Sequence, residues 1–170
     1  GKITRMQLDS VGNTVRKDDA GGFVQLQTFD SRGLRTSSTD RRGYRTDMTY
    51  TTSGNLERIT HPGGCFQTMT YTTAGLVSSR TDENGHTSSY TYTPDGLQET
   101  ETDAHGFTER MEYDADRRLV GVTDKRGKRR TMEYDSRGRL TLSRSPTGRT
   151  RVNTYDDEGL LLTTIDAKQR

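Results

Sequence analysis

A period of 21 residues runs through the whole chain of 170 residues. An aromatic or apolar residue, here called the anchor, marks each repeat. The anchors are Leu8, Phe29, Tyr50, Tyr71, Tyr92, Tyr113, Tyr134 and Tyr155. The residue two positions before the anchor is Met in five of the eight repeats. Because each unit of a repeat protein contacts mainly its neighbours, this period predicts one array of about eight similar units over residues 1–170.

Glycine recurs at two fixed positions of the repeat, here called the first and second columns. The first follows the anchor by four residues and comprises Gly12, Gly33, Gly54, Gly75, Gly96, Gly138 and Gly159, with Arg117 as the exception. The second lies ten residues further on and comprises Gly22, Gly43, Gly64, Gly85, Gly106, Gly127 and Gly148, with Gln169 in the eighth place. Asp stands three residues before most of these glycines and accepts backbone N–H groups in type I turns, while Gly supplies positive φ. We therefore expect two hairpin turns per repeat, the last beginning at Asp166.

The segments between the turns have the length of β-strands. One kind is represented by Phe23 to Phe29 and the other by Leu56 to Thr60. The register of the second kind stays open, since its Leu follows the anchor by five residues at Leu34 but by six at Leu119. No segment shows a sustained helical period. The sequence predicts an all-β fold, in which tandem 21-residue β-hairpin repeats form a curved antiparallel strip of up to sixteen strands.

The composition favours a thin apolar layer over a conventional core. Hydrophobic residues make up 26% and charged residues 29% of the chain, Trp is absent, and the net charge is only +2. Abundant Thr and Tyr suit a half-buried pleated surface better than a disordered chain. A single cysteine excludes an internal disulfide framework, and no apolar run approaches the ~20 residues of a membrane-spanning helix.

The repeat resembles the YD repeat of the Rhs family. Tyr134-Asp135-Ser136-Arg137-Gly138-Arg139-Leu140 is the clearest instance, and Thr81-Asp82-Glu83-Asn84-Gly85 represents the second half. Phe29 replaces the Tyr of the motif, and Thr51 and Thr72 replace its Asp. The resemblance implies a long β-strip that spirals into a hollow shell around a C-terminal toxin domain, as in Rhs proteins and insecticidal toxin complexes. Teneurins use a similar shell as an adhesion scaffold.

The resemblance does not extend to self-cleavage. Family members often end the shell with an Asp-Pro-x-Gly region, and this chain contains no Asp-Pro pair. Ser145-Pro146-Thr147-Gly148 fills an ordinary turn position.

No catalytic, cofactor or metal site is expected. His61, His86 and His105 occupy three different positions of the repeat, and the Asp columns are interpreted as turn formers and not as calcium ligands. Cys65 is interpreted as a small packing residue. Residues 110–151 contain thirteen Lys or Arg and six Asp or Glu, and this basic region suits an enclosed cargo or an acidic segment better than nucleic acid.

The residues expected to matter are therefore structural. They are the anchors Phe29, Tyr50, Tyr71, Tyr92, Tyr113, Tyr134 and Tyr155, and the turn glycines Gly33, Gly54, Gly75, Gly96, Gly138, Gly159, Gly43, Gly64, Gly85, Gly106, Gly127 and Gly148.

The expected function is that of a non-catalytic segment of an Rhs-type shell, which encapsulates or scaffolds a toxin for delivery. The alternative is a cell-surface adhesion or carbohydrate-binding module. The resemblance implies an exported bacterial polymorphic toxin, often delivered by type VI secretion, of which this chain is a fragment. The implied partners are neighbouring repeats of the parent chain, the enclosed toxin domain and components of a secretion apparatus. Oligomeric state stays open at this point.

Overall fold

A computed structural model describes residues 4–168 of the protein. These residues form sixteen β-strands and no helix. In particular, the described part of the chain contains no helix that is long and apolar enough to cross a membrane. The chain divides into two units, residues 1–87 and 88–170. The predicted fold class, an all-β array of antiparallel hairpin repeats, is confirmed.

The strands have a narrow range of lengths. The first eight are β1 (Arg5–Leu8), β2 (Thr14–Asp18), β3 (Val24–Phe29), β4 (Arg35–Thr39), β5 (Arg45–Tyr50), β6 (Leu56–Thr60), β7 (Phe66–Tyr71) and β8 (Val77–Thr81). The next eight are β9 (Thr87–Tyr92), β10 (Gln98–Thr102), β11 (Thr108–Tyr113), β12 (Leu119–Thr123), β13 (Arg129–Tyr134), β14 (Leu140–Arg144), β15 (Arg149–Tyr155) and β16 (Leu161–Lys168). Within each unit, consecutive strands pair antiparallel in chain order.

Both turns of the repeat have the same backbone hydrogen bonds. In the turn that begins at Asp103, the N–H of Asp103 donates to the Phe107 carbonyl at 3.0 Å, and the N–H of Gly106 donates to the Asp103 carbonyl at 2.9 Å. Gly106 has a φ of +83°, as expected for a type I turn that closes with a left-handed residue. Arg117 adopts a φ of +66° at the one first-column position without Gly.

A β-bulge sets the register of the second strand. Tyr50 pairs with Leu56, whereas Thr49 pairs with Arg58, so Glu57 is an extra residue without a direct partner. The same shift occurs after each anchor whose pairing is described, from Gln7/Leu8 to Thr154/Tyr155. An extra residue changes the face to which the following side chains point. The bulge therefore explains why the second strand has no regular two-residue apolar pattern.

The apolar layer is thin. Met48 pairs with Ile59 and Tyr50 pairs with Leu56, so these four side chains share one face of the sheet. Met48 is the most buried hydrophobic residue of the described chain, with 8% exposure, and Ser37 is 3% exposed. Stability must therefore come from many small contacts between neighbouring strands, as in other repeat proteins.

The expected turn at Asp166 is wrong. Asp166 lies within β16 and pairs with Arg151 of β15, whose guanidinium donates to the carboxylate at 2.8 and 3.2 Å. This ion pair continues the β15–β16 ladder beyond the point at which the other second strands end. Gln169, the eighth member of the second column, lies outside the described residues. That residues 1–170 form one array within a longer chain stays a prediction.

Candidate functional site: the seam between repeats

Each tyrosine anchor whose hydroxyl contact is described reaches the strand of the preceding repeat. The hydroxyl donates to the carbonyl of the residue fifteen positions earlier, which begins that strand. The distances are 2.8 Å for Tyr50 to Arg35, 2.5 Å for Tyr71 to Leu56, 2.9 Å for Tyr113 to Gln98, 2.8 Å for Tyr134 to Leu119 and 2.8 Å for Tyr155 to Leu140. These bonds satisfy carbonyls beside the bulges, where the ladder is interrupted. The anchors therefore join successive repeats.

Tyr92 and Phe29 are two further anchors of this column. Burial raises the pKa of the Tyr92 hydroxyl, and also that of Tyr71. Phe29 is half-buried and has no hydroxyl to donate.

All twelve of the turn glycines named above have positive φ, between +74° at Gly127 and +93° at Gly159.

The aspartate turns are closed by their own carboxylates. Asp135 Oδ1 accepts the backbone N–H groups of Arg137 and Arg139, both at 2.9 Å, and Oδ2 accepts Arg139 Nε at 2.7 Å. These hydrogen bonds, chiefly the one from the Arg139 backbone, hold the pKa of Asp135 below its ordinary value. The ionised carboxylate is thus an integral part of the turn.

Arginine side chains connect one aspartate turn to the next. Arg118 Nη1 donates to the Asp135 carbonyl at 3.2 Å, and Arg139 Nη1 donates to the Asp156 carbonyl at 3.0 Å. The Arg139 guanidinium also lies 4.7 Å from the centre of the Tyr155 ring, within the range of a cation–π contact. Each arginine therefore binds its own turn and the neighbouring repeat together.

Other repeats form the same seam with neutral or apolar groups. Thr51 Oγ1 accepts the Asn55 N–H at 3.1 Å, and Thr72 Oγ1 accepts the Leu76 N–H at 3.2 Å. Leu34 Cδ1 lies 3.7 Å from the point where a side chain on Gly54 would begin, so Leu34 covers the glycine of the next turn. An arginine also reaches this turn, since Arg32 Nη1 donates to the Thr51 and Thr52 carbonyls at 2.9 and 3.1 Å.

The histidines are not brought together. His61 Nε2 lies 3.3 Å from Glu83 Oε1 without hydrogen-bond geometry, and His86 Nδ1 lies 3.3 Å from Asp82 Oδ2. His105 contributes a backbone N–H to Asp103. No group of three metal-ligating side chains occurs within residues 4–168.

The basic region is largely paired. Lys125 lies 3.2 Å from Asp103, Arg129 donates to Glu112, and Arg144 donates to Glu133. Four basic side chains make no side-chain hydrogen bond or ion pair with any described residue: Arg126, Lys128, Arg130 and Arg149. They are exposed, so the surplus charge is carried by solvated side chains.

Three of the second turns end with an exposed aromatic side chain, at a position that the sequence analysis assigned to strands. Phe23, Tyr44 and Phe107 are 53%, 56% and 56% exposed, and Phe66, the first residue of β7, is 40% exposed. Cys65 occupies the same position of its repeat as Tyr44 and is also exposed. The interpretation of Cys65 as a small packing residue is therefore wrong, because its position follows the turn glycine and leaves the side chain exposed.

Comparison with known proteins agrees with this geometry. Residues 113–150 match the family described as RHS Repeat. A comparison with curated proteins finds no match. A TcdB2–TccC3–Cdc42 crystal structure is similar with a TM-score of 0.79 and 18% identity, over 99% of this chain and 12% of that one. A TcdB2–TccC3 crystal structure gives 0.78 and 19%, over 97% and 11%. The Photorhabdus luminescens Tc holotoxin pore gives 0.77 and 18%, over 96% and 11%.

These solved structures share the fold over nearly the whole chain, although this chain spans only 11–12% of their length. The family match covers less than half of the chain and falls on the repeats with aspartate and arginine turns. The resemblance to the Rhs and YD-repeat family is thereby confirmed: residues 113–150 match the family, and nearly the whole chain shares the β-hairpin fold of the similar solved structures.

Proposed function

We propose that this chain is a non-catalytic structural segment of an Rhs-type shell, which encloses or scaffolds a toxin domain for delivery. The proposal rests on what the most regularly repeated side chains contact. The tyrosine hydroxyls and the arginines bind the neighbouring repeat, and the turn carboxylates close their own turns. These contacts hold the turns and neighbouring repeats together. The residues that make them leave no repeated set of groups for catalysis.

The similar solved structures support a role within a larger assembly. They are TcdB2–TccC3 complexes and a Tc holotoxin pore, of which this chain matches 11–12% of the length. The proposed partners are neighbouring repeats of the same parent chain and an enclosed toxin domain. The proposal places the natural protein among exported bacterial toxins, with type VI secretion as one route.

Protection of a cargo tests the proposal. The natural protein that carries this segment would be digested with a nonspecific protease, and the surviving fragments identified by mass spectrometry. A domain outside the repeats should resist digestion in the intact protein and become sensitive when Gly106→Val and Gly127→Val weaken the turns. A protein in which every domain outside the repeats is digested at the same rate with and without these substitutions would contradict enclosure.

The exposed aromatic side chains support a second candidate, a carbohydrate-binding or adhesion module. Aromatic faces can stack on sugars, and Tyr44 and Phe107 are each 56% exposed. A glycan array probed with this protein separates the two functions. Specific binding that is lost on Tyr44→Ala or Phe107→Ala supports adhesion, and an array without specific binding supports the shell.

A further inference from the structure

One contact between neighbouring repeats is made without the arginine that joins equivalent turns elsewhere. It lies within the unit of residues 1–87, between the turns of the first glycine column that begin at Thr51 and Thr72, and it contains a groove of about 530 Å³. We propose that this groove binds the guanidinium group of an arginine side chain that a partner polypeptide supplies. The proposal does not depend on the shell function, because it follows from comparing equivalent positions of the repeats.

In three repeats an arginine of one first-column turn donates to a backbone carbonyl of the next such turn. This arginine stands three or five positions after the anchor. The contacts made by Nη1 are those of Arg32 with Thr51 at 2.9 Å, Arg118 with Asp135 at 3.2 Å, Arg137 with Asp157 at 2.6 Å and Arg139 with Asp156 at 3.0 Å. A guanidinium is therefore the recurrent side-chain donor to these turn carbonyls.

The repeat anchored at Tyr50 has short side chains at both of these positions. They are Ser53, three positions after the anchor, and Asn55, five positions after it. Asn55 Nδ2 lies 3.7 Å from the point where a side chain on Gly75 would begin, and both residues line the groove. The Ser53 hydroxyl and the Asn55 amide make no hydrogen bond with any residue in the described range 4–168. Neither side chain therefore replaces the arginine contact.

The backbone acceptor of the arginine contact is nevertheless present. The Thr72 carbonyl accepts the N–H of Gly75 at 2.9 Å and accepts no donor from a side chain of residues 4–168. The equivalent carbonyl of Asp135 accepts the N–H of Gly138 at 2.9 Å and also accepts Arg118. Since a carbonyl oxygen has two lone pairs, Thr72 retains the one that binds arginine in the equivalent turn.

An aromatic ring and a carboxylate line the same groove. The Arg118 guanidinium lies 5.3 Å from the centre of the Tyr134 ring, and Tyr71 is the equivalent anchor at the groove. Glu57 also lines the groove, is exposed, and has no ion pair or hydrogen bond from its carboxylate to any described residue. A planar guanidinium can stack on a ring while its N–H groups bind a carboxylate and a carbonyl, whereas an ammonium lacks this shape. The groove should therefore prefer arginine to lysine.

An NMR titration with N-acetyl-arginine amide as the probe tests the site in the whole chain. The signals of the Asn55 side-chain amide and the Gly75 N–H should shift, with a Kd on the order of 1 mM because the contact is small. N-acetyl-lysine amide and N-acetyl-citrulline amide should bind about tenfold more weakly, since the first is not planar and the second is uncharged. Equal binding of the three probes, or no shift at these two residues, would overturn the proposal.

Two variants test which groups hold the probe. Asn55→Arg should fill the groove from within the chain, so that the probe no longer shifts the Gly75 signal. Glu57→Gln should weaken binding about fivefold, because it removes the carboxylate. Glu99→Gln is the matched control, since Glu99 has the same position in its own repeat but pairs with Arg110 at 3.4 Å, and it should leave binding unchanged. Circular dichroism checks folding. Undiminished binding by Asn55→Arg, or equal losses in the two glutamate variants, would contradict the proposed site.

Discussion

The repeats anchored at Tyr50 and Tyr71 and those anchored at Tyr113 and Tyr134 form the same hairpins with different turn chemistry. Thr72 accepts one backbone N–H through its hydroxyl, that of Leu76 at 3.2 Å. Asp135 accepts two backbone N–H groups and a guanidinium, and that guanidinium continues to the next repeat. The side chain that closes the first kind of turn is neutral, and the one that closes the second is charged and binds an arginine that reaches the next repeat.

The difference between the two kinds of turn distinguishes residues that belong to the family's sequence pattern from residues that the fold requires. The family match covers residues 113–150, which include the charged turns at Asp114 and Asp135. The structural likeness nevertheless extends over 99% of the chain, threonine turns included. The positive φ of the glycines and the tyrosine-to-carbonyl bonds occur in both kinds of repeat. These shared features are therefore sufficient for the hairpin array, and the charged turn adds to it.

The largest effect should come from removing a turn carboxylate. Asp135→Ala removes the acceptor of three hydrogen bonds, whereas Thr72→Ala removes the acceptor of one. Since each such bond contributes to stability, the loss in the free energy of unfolding for Asp135→Ala should be about threefold that for Thr72→Ala. Thermal unfolding followed by circular dichroism measures both. Equal losses would show that the charged turn is no stronger than the neutral one.

A smaller effect is expected from the glycine that both kinds of turn share. Gly138 has a φ of +80°, and an added Cβ would meet only Arg118 atoms at 3.9 Å, so Gly138→Ala tests backbone strain without a steric clash. The cost should be about 1–2 kcal/mol in the free energy of unfolding by urea. Ser136→Ala in the same turn is the control, because Ser136 does not have positive φ. A similar cost for both variants would contradict the strain argument.

The hydrogen bonds of the anchor tyrosines should contribute about equally to stability in repeats with threonine turns and in repeats with aspartate turns. Tyr71→Phe and Tyr134→Phe each leave a carbonyl without its hydroxyl donor, that of Leu56 and that of Leu119. Each should cost about 1 kcal/mol in the free energy of unfolding. Tyr44→Phe is the matched control, since Tyr44 is 56% exposed at a turn and should change little. A cost in only one region would show that the seams differ beyond their turns.

The smallest effect is the dependence of one turn on pH. The pKa of Asp135 is lowered in the folded protein, mainly by the backbone hydrogen bond from Arg139. Its stabilisation is therefore fully present above the ordinary Asp pKa of about 4 and is lost as pH falls through the lowered value. The protein should be more stable than Asp135→Asn at pH 7, and the difference should shrink as pH falls below the ordinary Asp pKa of about 4. Melting temperatures measured across this range check the sign, and a difference that grows in acid would refute it.

Strand boundaries could be predicted closely because the turn chemistry is local. The segment from Leu56 to Thr60 coincides with β6, whereas the segment from Phe23 begins one residue before β3. The Phe23 carbonyl accepts the Asp19 N–H at 2.9 Å, so Phe23 belongs to the turn. The arginine contacts were missed, although the Arg that follows Gly138 repeats the position of Arg118 and was the available signal.

The sequence by itself determined the period, the two turns of each repeat and hence the antiparallel order of the strands. Those features depend on Asp, Thr and Gly within five consecutive residues, whose backbone preferences act locally. Only the tertiary structure decided that Glu57 lies in a bulge and that Tyr134 binds the Leu119 carbonyl. These features depend on which residue of a neighbouring strand lies opposite, and that choice is made by pairing between strands and not by any one segment.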